Sequence, residues 1–237
     1  MLRRLRDAAI FTALIAGAAS ASAQPAAGSG GRLEVGAAVR WTSASSLGGA
    51  AAALTPNAGQ PPYTLFDVSG DLGAHAGVEV RVGYRVSGGL RLSADASLAR
   101  PSVEVRIRSD AEGAPDRSFA GESLLQWTLG GRADCDMHRL RFMSGRAVPF
   151  VSARAGMLWQ SHEGRVSTDS GWYAEAGGGV AFTLRTHPSS RLSRVGIAAD
   201  LRVSHVGGGF NWGQDARTMP SFGVGVTTGW GRARKAA

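Results

Sequence analysis

The chain of 237 residues contains one cysteine, one lysine (Lys235) and no run of 18 apolar residues. A single cysteine excludes an internal disulfide framework and a multi-cysteine zinc site. The missing apolar run excludes a membrane-spanning helix. Only 19% of the residues are charged against 43% hydrophobic, which is too apolar for a disordered chain. The net charge of +8 comes almost entirely from arginine. No basic run occurs outside the two ends, so no nucleic-acid partner is expected.

Glycine is abundant, at 34 residues, without a collagen-like period. Residues 1–23 read as a secretory signal peptide. Arg3, Arg4 and Arg6 precede an apolar core from Ala8 to Ala19, and Ala21-Ser22-Ala23 is an A-x-A cleavage site. Its removal takes three arginines and Asp7 from the charge of +8, leaving +6. Residues 24–31 form a small-residue linker.

From residue 32 to 231 the dominant signal is strict alternation, the period of a strand with two unlike faces. In one segment Leu72, Ala74, Ala76, Val78, Val80, Val82, Tyr84 and Val86 alternate with Asp71, Gly73, His75, Gly77, Glu79, Arg81, Gly83 and Arg85. Eight such segments follow one another, each near the length that a tilted strand needs to cross a bilayer. The third continues past that length with a change of phase near Pro101, which predicts a bulge or kink there. Connections alternate between long and short, except that 135–147 is long where a short periplasmic turn is expected. The segment from Ser43 to Gly70 reads as a long Ala-, Gly- and Pro-rich loop. Residues 232–237 form a basic tail.

Period two does not by itself say which face is outside. An apolar face turned inward would make a soluble lipocalin-like carrier. Three features favour the membrane arrangement. The aromatics sort into two girdles, with Trp41, Phe119, Trp159, Trp172 and Phe222 at the loop end and Tyr84, Trp127, Phe182 and Trp230 at the turn end. The polar face mixes glycine with arginine, which suits a crowded narrow lumen. Its charges are nearly balanced, which predicts a paired lumen network including Glu34, Arg40, Glu79, Arg81, Asp95, Glu122, Arg154, Glu175, Asp200 and Arg202.

The signal peptide, the eight amphipathic segments and the last strand, Phe222 to Trp230, resemble small outer-membrane β-barrel proteins of Gram-negative bacteria, of the OmpA-transmembrane-domain and OmpX type. The resemblance covers about 200 residues, from Arg32 to Trp230. It implies an all-β, eight-stranded antiparallel up-and-down transmembrane barrel in the cell outer membrane. It also implies a monomer without cofactor or metal and a non-catalytic structural or surface-interaction role. The implied partners are outer-membrane lipid, lipopolysaccharide and the barrel-assembly machinery. Family members commonly end on an aromatic residue; here Trp230 is followed by seven more residues.

Two clusters invite a chemical reading. Ser204-His205-Val206-Gly207 through Asn211 loosely resembles the His-x-Ser-Asn region of lipid A deacylases, which makes a hydrolase centred on His205 the leading alternative. The position of that family's nucleophilic serine is Gly207, and Ser204, adjacent to the histidine, points to the opposite strand face. Asp134-Cys135-Asp136-Met137-His138 has metal-ligand residue types, but reads as a solvated turn with a free thiol. His75 reads as a structural lumen residue and His187-Pro188-Ser189-Ser190 as a turn. A narrow channel through the lumen is a further alternative.

Overall fold

The structure is a computed structural model that describes residues 33–54, 61–86, 89–162, 167–186, 192–213 and 216–230. The expected signal peptide, linker, basic tail and His187 turn lie outside these residues.

The strands are β1 (Leu33–Thr42), β2 (Ser45–Leu54), β3 (Tyr63–Leu72), β4 (His75–Arg85), β5 (Leu90–Ala99), β6 (Ser102–Arg108), β7 (Arg117–Asp136), β8 (Ala147–His162), β9 (Thr168–Thr186), β10 (Leu192–Gly208) and β11 (Ala216–Trp230). Eight of them close an antiparallel barrel in the order β1-β4-β5-β7-β8-β9-β10-β11 and back to β1. The closing pair runs in unbroken register from Leu33↔Trp230 to Thr42↔Ser221. A closed barrel leaves no backbone edge in the wall, which is the condition for crossing lipid with strands.

The outward face is apolar: Val80 is 56% exposed, Leu129 54%, Leu201 66% and Val226 55%, while Arg132, Arg154 and Arg202 inside are each 3% exposed. This is the reverse of a soluble carrier, and it sets the molecule out as a lipid-facing barrel.

Three of the eight wall strands continue beyond the barrel after a kink. β1 leads into β2, β3 into β4 and β5 into β6, and together with the upper part of β7 they form a four-stranded outer sheet in the order β2-β3-β6-β7. The predicted loop from Ser43 to Gly70 is therefore largely a hairpin, with Ser45 paired to Leu72 and Leu54 to Tyr63. Its many alanines and glycines do not show the alternation of large and polar side chains that marks a strand in a sequence.

The break in the third segment falls at Arg100–Pro101, where Pro101 is fully buried. Asp95 and Ser97 face inward below the break, and Val103 faces inward above it. Odd residues thus stay inside throughout. What changes is the environment: above the lipid, the outer face meets water and the inner face becomes apolar core. Leu47, Leu72, Val103 and Leu124 form that core, with Phe210 packed on it. Leu124, which interrupts the polar face of its segment, is one of these residues.

The connection expected over 135–147 begins later. β7 runs through Asp136, and a 3-10 turn (His138–Leu140) and a small hairpin closed by the bridge Phe142↔Ala147 follow.

Candidate functional site

The lumen is filled by side chains in three layers. Lowest, at the end of the barrel that carries Leu33 and Trp230, Arg85 donates to Glu34 at 2.7 Å and Arg91 donates to Asp136 at 2.7 Å. The guanidiniums of Arg91 and Arg132 lie 5.6 and 5.9 Å from the ring centre of Phe150, so a cation–π layer floors the next one.

The middle layer centres on Glu79. Arg40 lies 3.0 Å from its carboxylate, Arg202 3.2 Å, Arg132 3.4 Å and Arg154 3.5 Å. The arginines are held from their other sides. Arg132 donates to Asp134 at 2.7 Å and Arg202 to Asp200 at 2.7 Å. Arg154 pairs with Asp95 and reaches Glu175 at 3.4 Å. Ser204 donates to Glu175 at 3.0 Å, and Thr128 accepts from Arg154 at 3.0 Å. Glu79, Glu175, Arg132, Arg154 and Arg202 are each shared among several partners, which is how a crowded lumen tolerates ions that would cost several kcal/mol alone. The planar fork of arginine suits this sharing.

Above this layer the lumen turns apolar. The Tyr173 ring lies 4.7 Å from the Arg154 guanidinium and joins a buried cluster with Leu158, Val206 and Met219. A β-carbon on Gly130 would sit 2.1 Å from the Tyr173 hydroxyl, so glycine there makes room for the ring. Gln160, fully buried, donates to Gln126 at 2.8 Å and accepts from the Phe210 amide at 2.9 Å. Two cavities among the described lumen residues each hold about 10 Å³, room for roughly one water. Arg81 lines both.

Of the ten lumen residues named from sequence, the structure brings Arg40, Glu79, Asp95, Arg154, Glu175, Asp200 and Arg202 into the middle layer, Glu34 into the lowest and Arg81 between them. Glu122 is a correction. Its side chain is 49% exposed on the upper part of β7, 3.4 Å from His162. β7 changes face there, because the pairing with β6 slips between Ser102 and Glu104. Asp71 likewise lies on the outer sheet, 3.6 Å from Arg106.

The aromatic levels also need correction. Trp127, expected at the turn end, faces Trp159 directly across the β7–β8 pair, with ring centres 4.1 Å apart. β7 is longer than one span, so its middle lies higher than the position in the segment suggested. Phe119 sits opposite Val105 in the outer sheet, above the barrel wall. Trp41 stacks on Phe222 at 6.4 Å, and Trp172 is 48% exposed on β9. Tyr84 and Trp230 both pair with Leu33 at the opposite end, and Phe182 pairs with Ala147 there.

Asp136 was missed as a lumen residue. With Asp134 it faces inward onto arginines, and so neither belongs to a solvated turn. The signal was present, since Asp134 and Asp136 continue the even-numbered polar face of that segment. His75 sits at the upper end of β4, with Nδ1 3.0 Å from the Gly73 carbonyl oxygen.

Ser204 and His205 point to opposite faces. His205 is outside, 5.6 Å from Trp172, and its Nδ1 lies 3.1 Å from the Thr218 hydroxyl. Among the described residues no carboxylate is recorded against that imidazole.

The loop after β10 closes the top. Phe210 enters the upper core, the Trp212 amide donates to the Leu47 carbonyl at 2.6 Å, and Gly48 bridges to Gly213. Arg217 donates to the Phe210 carbonyl at 2.8 Å.

No family model and no curated protein matches the chain. Among solved structures, the crystal structure of Neisserial surface protein A is similar with a TM-score of 0.51 and 15% identity, over 84% of this chain and 97% of that one. The outer membrane protein OprG from Pseudomonas aeruginosa aligns with a TM-score of 0.47 and 9% identity, over 86% of this chain and 98% of that one. The first of these establishes the fold as that of a small outer-membrane barrel.

Proposed function

We propose that this protein is a non-catalytic, sealed outer-membrane barrel whose role is to hold the four-stranded outer sheet at the cell surface for structural or binding contacts. The observation that carries this reading is the lumen. Its cross-section is occupied by a shared ion-pair layer beneath an apolar layer, while the chain invests three additional strands outside the lipid. The paired charges act as a plug, and the surface above them is where a rigid scaffold places its contacts. The eight-stranded closed wall and the ion-paired lumen support a likeness to the OmpA-transmembrane-domain and OmpX type.

The competing hydrolase reading rests on His205. A catalytic base needs an oriented imidazole and an activated nucleophile. The only hydroxyl recorded against it among the described residues is the secondary alcohol of Thr218. The folded protein, incubated with lipopolysaccharide in mixed micelles, should leave the mass of lipid A unchanged. A loss of one acyl chain that disappears in His205→Ala would replace this proposal with the hydrolase.

A further inference from the structure

The connection from β7 to β8 is built unlike a solvated turn. Over residues 137–147 it carries Arg139, Arg141, Arg146 and His138, with no acidic residue. Leu140 is 59% exposed, Phe142 43% and Met143 64%, in a stretch exposed continuously from Arg139 to Arg146. Large apolar side chains interleaved with arginines and presented together are the composition of a segment that lies in a membrane interface.

Position supports the same reading. The turn folds back on the barrel wall. Phe142 bridges to Ala147 and meets Phe182 edge-on at 6.5 Å. Phe182 pairs with Ile197, which is on the lipid-facing side, so the apolar face of the turn continues the outer wall at the end that carries Leu33 and Trp230. The backbone is fixed in this pose: the Thr183 amide donates to the Arg146 carbonyl at 2.8 Å and the Met137 amide to the Pro149 carbonyl at 2.7 Å. Met143 and Ser144 both have positive φ, 51° and 56°, where Asn-Gly is the undemanding choice. A methionine kept in that conformation with its side chain outward points to a use for the side chain.

We infer that the β7–β8 turn is a phospholipid anchor in the periplasmic leaflet. Leu140, Phe142 and Met143 enter the boundary between headgroups and acyl chains. Arg139, Arg141 and Arg146 bind the phosphates, with a preference for anionic headgroups. The inference rests on the membrane-spanning fold and is independent of what the outer sheet binds.

The test uses the full-length folded protein in vesicles of phosphatidylcholine, alone or with a minority of phosphatidylglycerol. An environment-sensitive fluorophore is attached through Met143→Cys in a Cys135→Ala background, with Glu112→Cys on the opposite loop as the aqueous control. The expected result is a blue-shifted emission at position 143, quenched by lipid-borne nitroxides and shielded from iodide, with neither effect at position 112. Equal iodide quenching at the two positions would overturn the inference. So would shielding that arises only after periplasmic extract is added, because the partner would then be a protein. The unlabelled parent is also compared with a variant carrying Arg139→Gln, Arg141→Gln and Arg146→Gln, both folded by heat-modifiable gel mobility. The parent should retain phosphatidylglycerol in preference to phosphatidylcholine on detergent extraction, and the variant should lose that preference. A parent without preference, or a variant that keeps it, refutes the phosphate role.

Discussion

Glu79 is the residue on which the lumen turns. Four arginines lie within 3.5 Å of its carboxylate, and it is 2% exposed. Glu79→Ala would leave those cations short of a shared counter-charge, a loss of about 3–5 kcal/mol. Urea titration of the folded barrel should show the midpoint fall accordingly. Glu122→Ala, at an exposed site, should stay within about 0.5 kcal/mol of the parent. An unchanged midpoint for Glu79→Ala would mean the arginines are neutralised without it. On the outer sheet, the Ser118 hydroxyl donates to Glu104 at 2.8 Å and Arg106 donates at 3.2 Å. The hydroxyl first, and then the guanidinium, hold the Glu104 carboxyl below its ordinary value. A lowered carboxyl stabilises above its unfolded value and stops doing so as pH falls through the lowered one. Amide exchange at Ser118 should therefore stay slow through the ordinary glutamate range and quicken only below it. Quickening already within that range would show the contact is not made. The lumen acids were legible because strand period two forces alternate residues to one face. Glu122 was misplaced because a slip in pairing reverses that face and leaves no mark in composition.

Among the elements, the closing loop and the β2–β3 hairpin were the least legible. Ala50 to Ala53 and Gly48-Gly49 carry no large side chain to reveal a period, yet they pair through their backbones with β3. A residue distant in sequence meets this hairpin: Trp212 packs on Gly70, where a β-carbon would lie 2.6 Å from the indole. Gly70→Ala should lift the loop around Trp212 without touching the barrel wall. Limited proteolysis should cut between Gly209 and Gly213 faster in this variant, while the heat-modifiable band persists. A parent-like digestion rate would show that the loop is held by Phe210 and the Leu47 hydrogen bond alone. The kink at Arg100–Pro101, by contrast, was readable, because proline inside an alternating run cannot donate to the ladder. The Trp127 level was not, since nothing in the sequence states that β7 runs 20 residues.

At the scale of the molecule, lipid-facing side chains are apolar, and the lumen is charged in its lower and middle layers and apolar above them. Closure of the barrel pairs the backbone of the wall, and ion pairing offsets the charges gathered around Glu79. A sealed barrel requires that this interior act as a plug. Planar-bilayer recording on the folded full-length protein tests it most directly. The folded barrel should insert without ohmic current steps at moderate voltage in salt. Steady unitary conductance in the parent protein would contradict it, and would mean that the layers around Glu79 and Tyr173 leave a continuous water path.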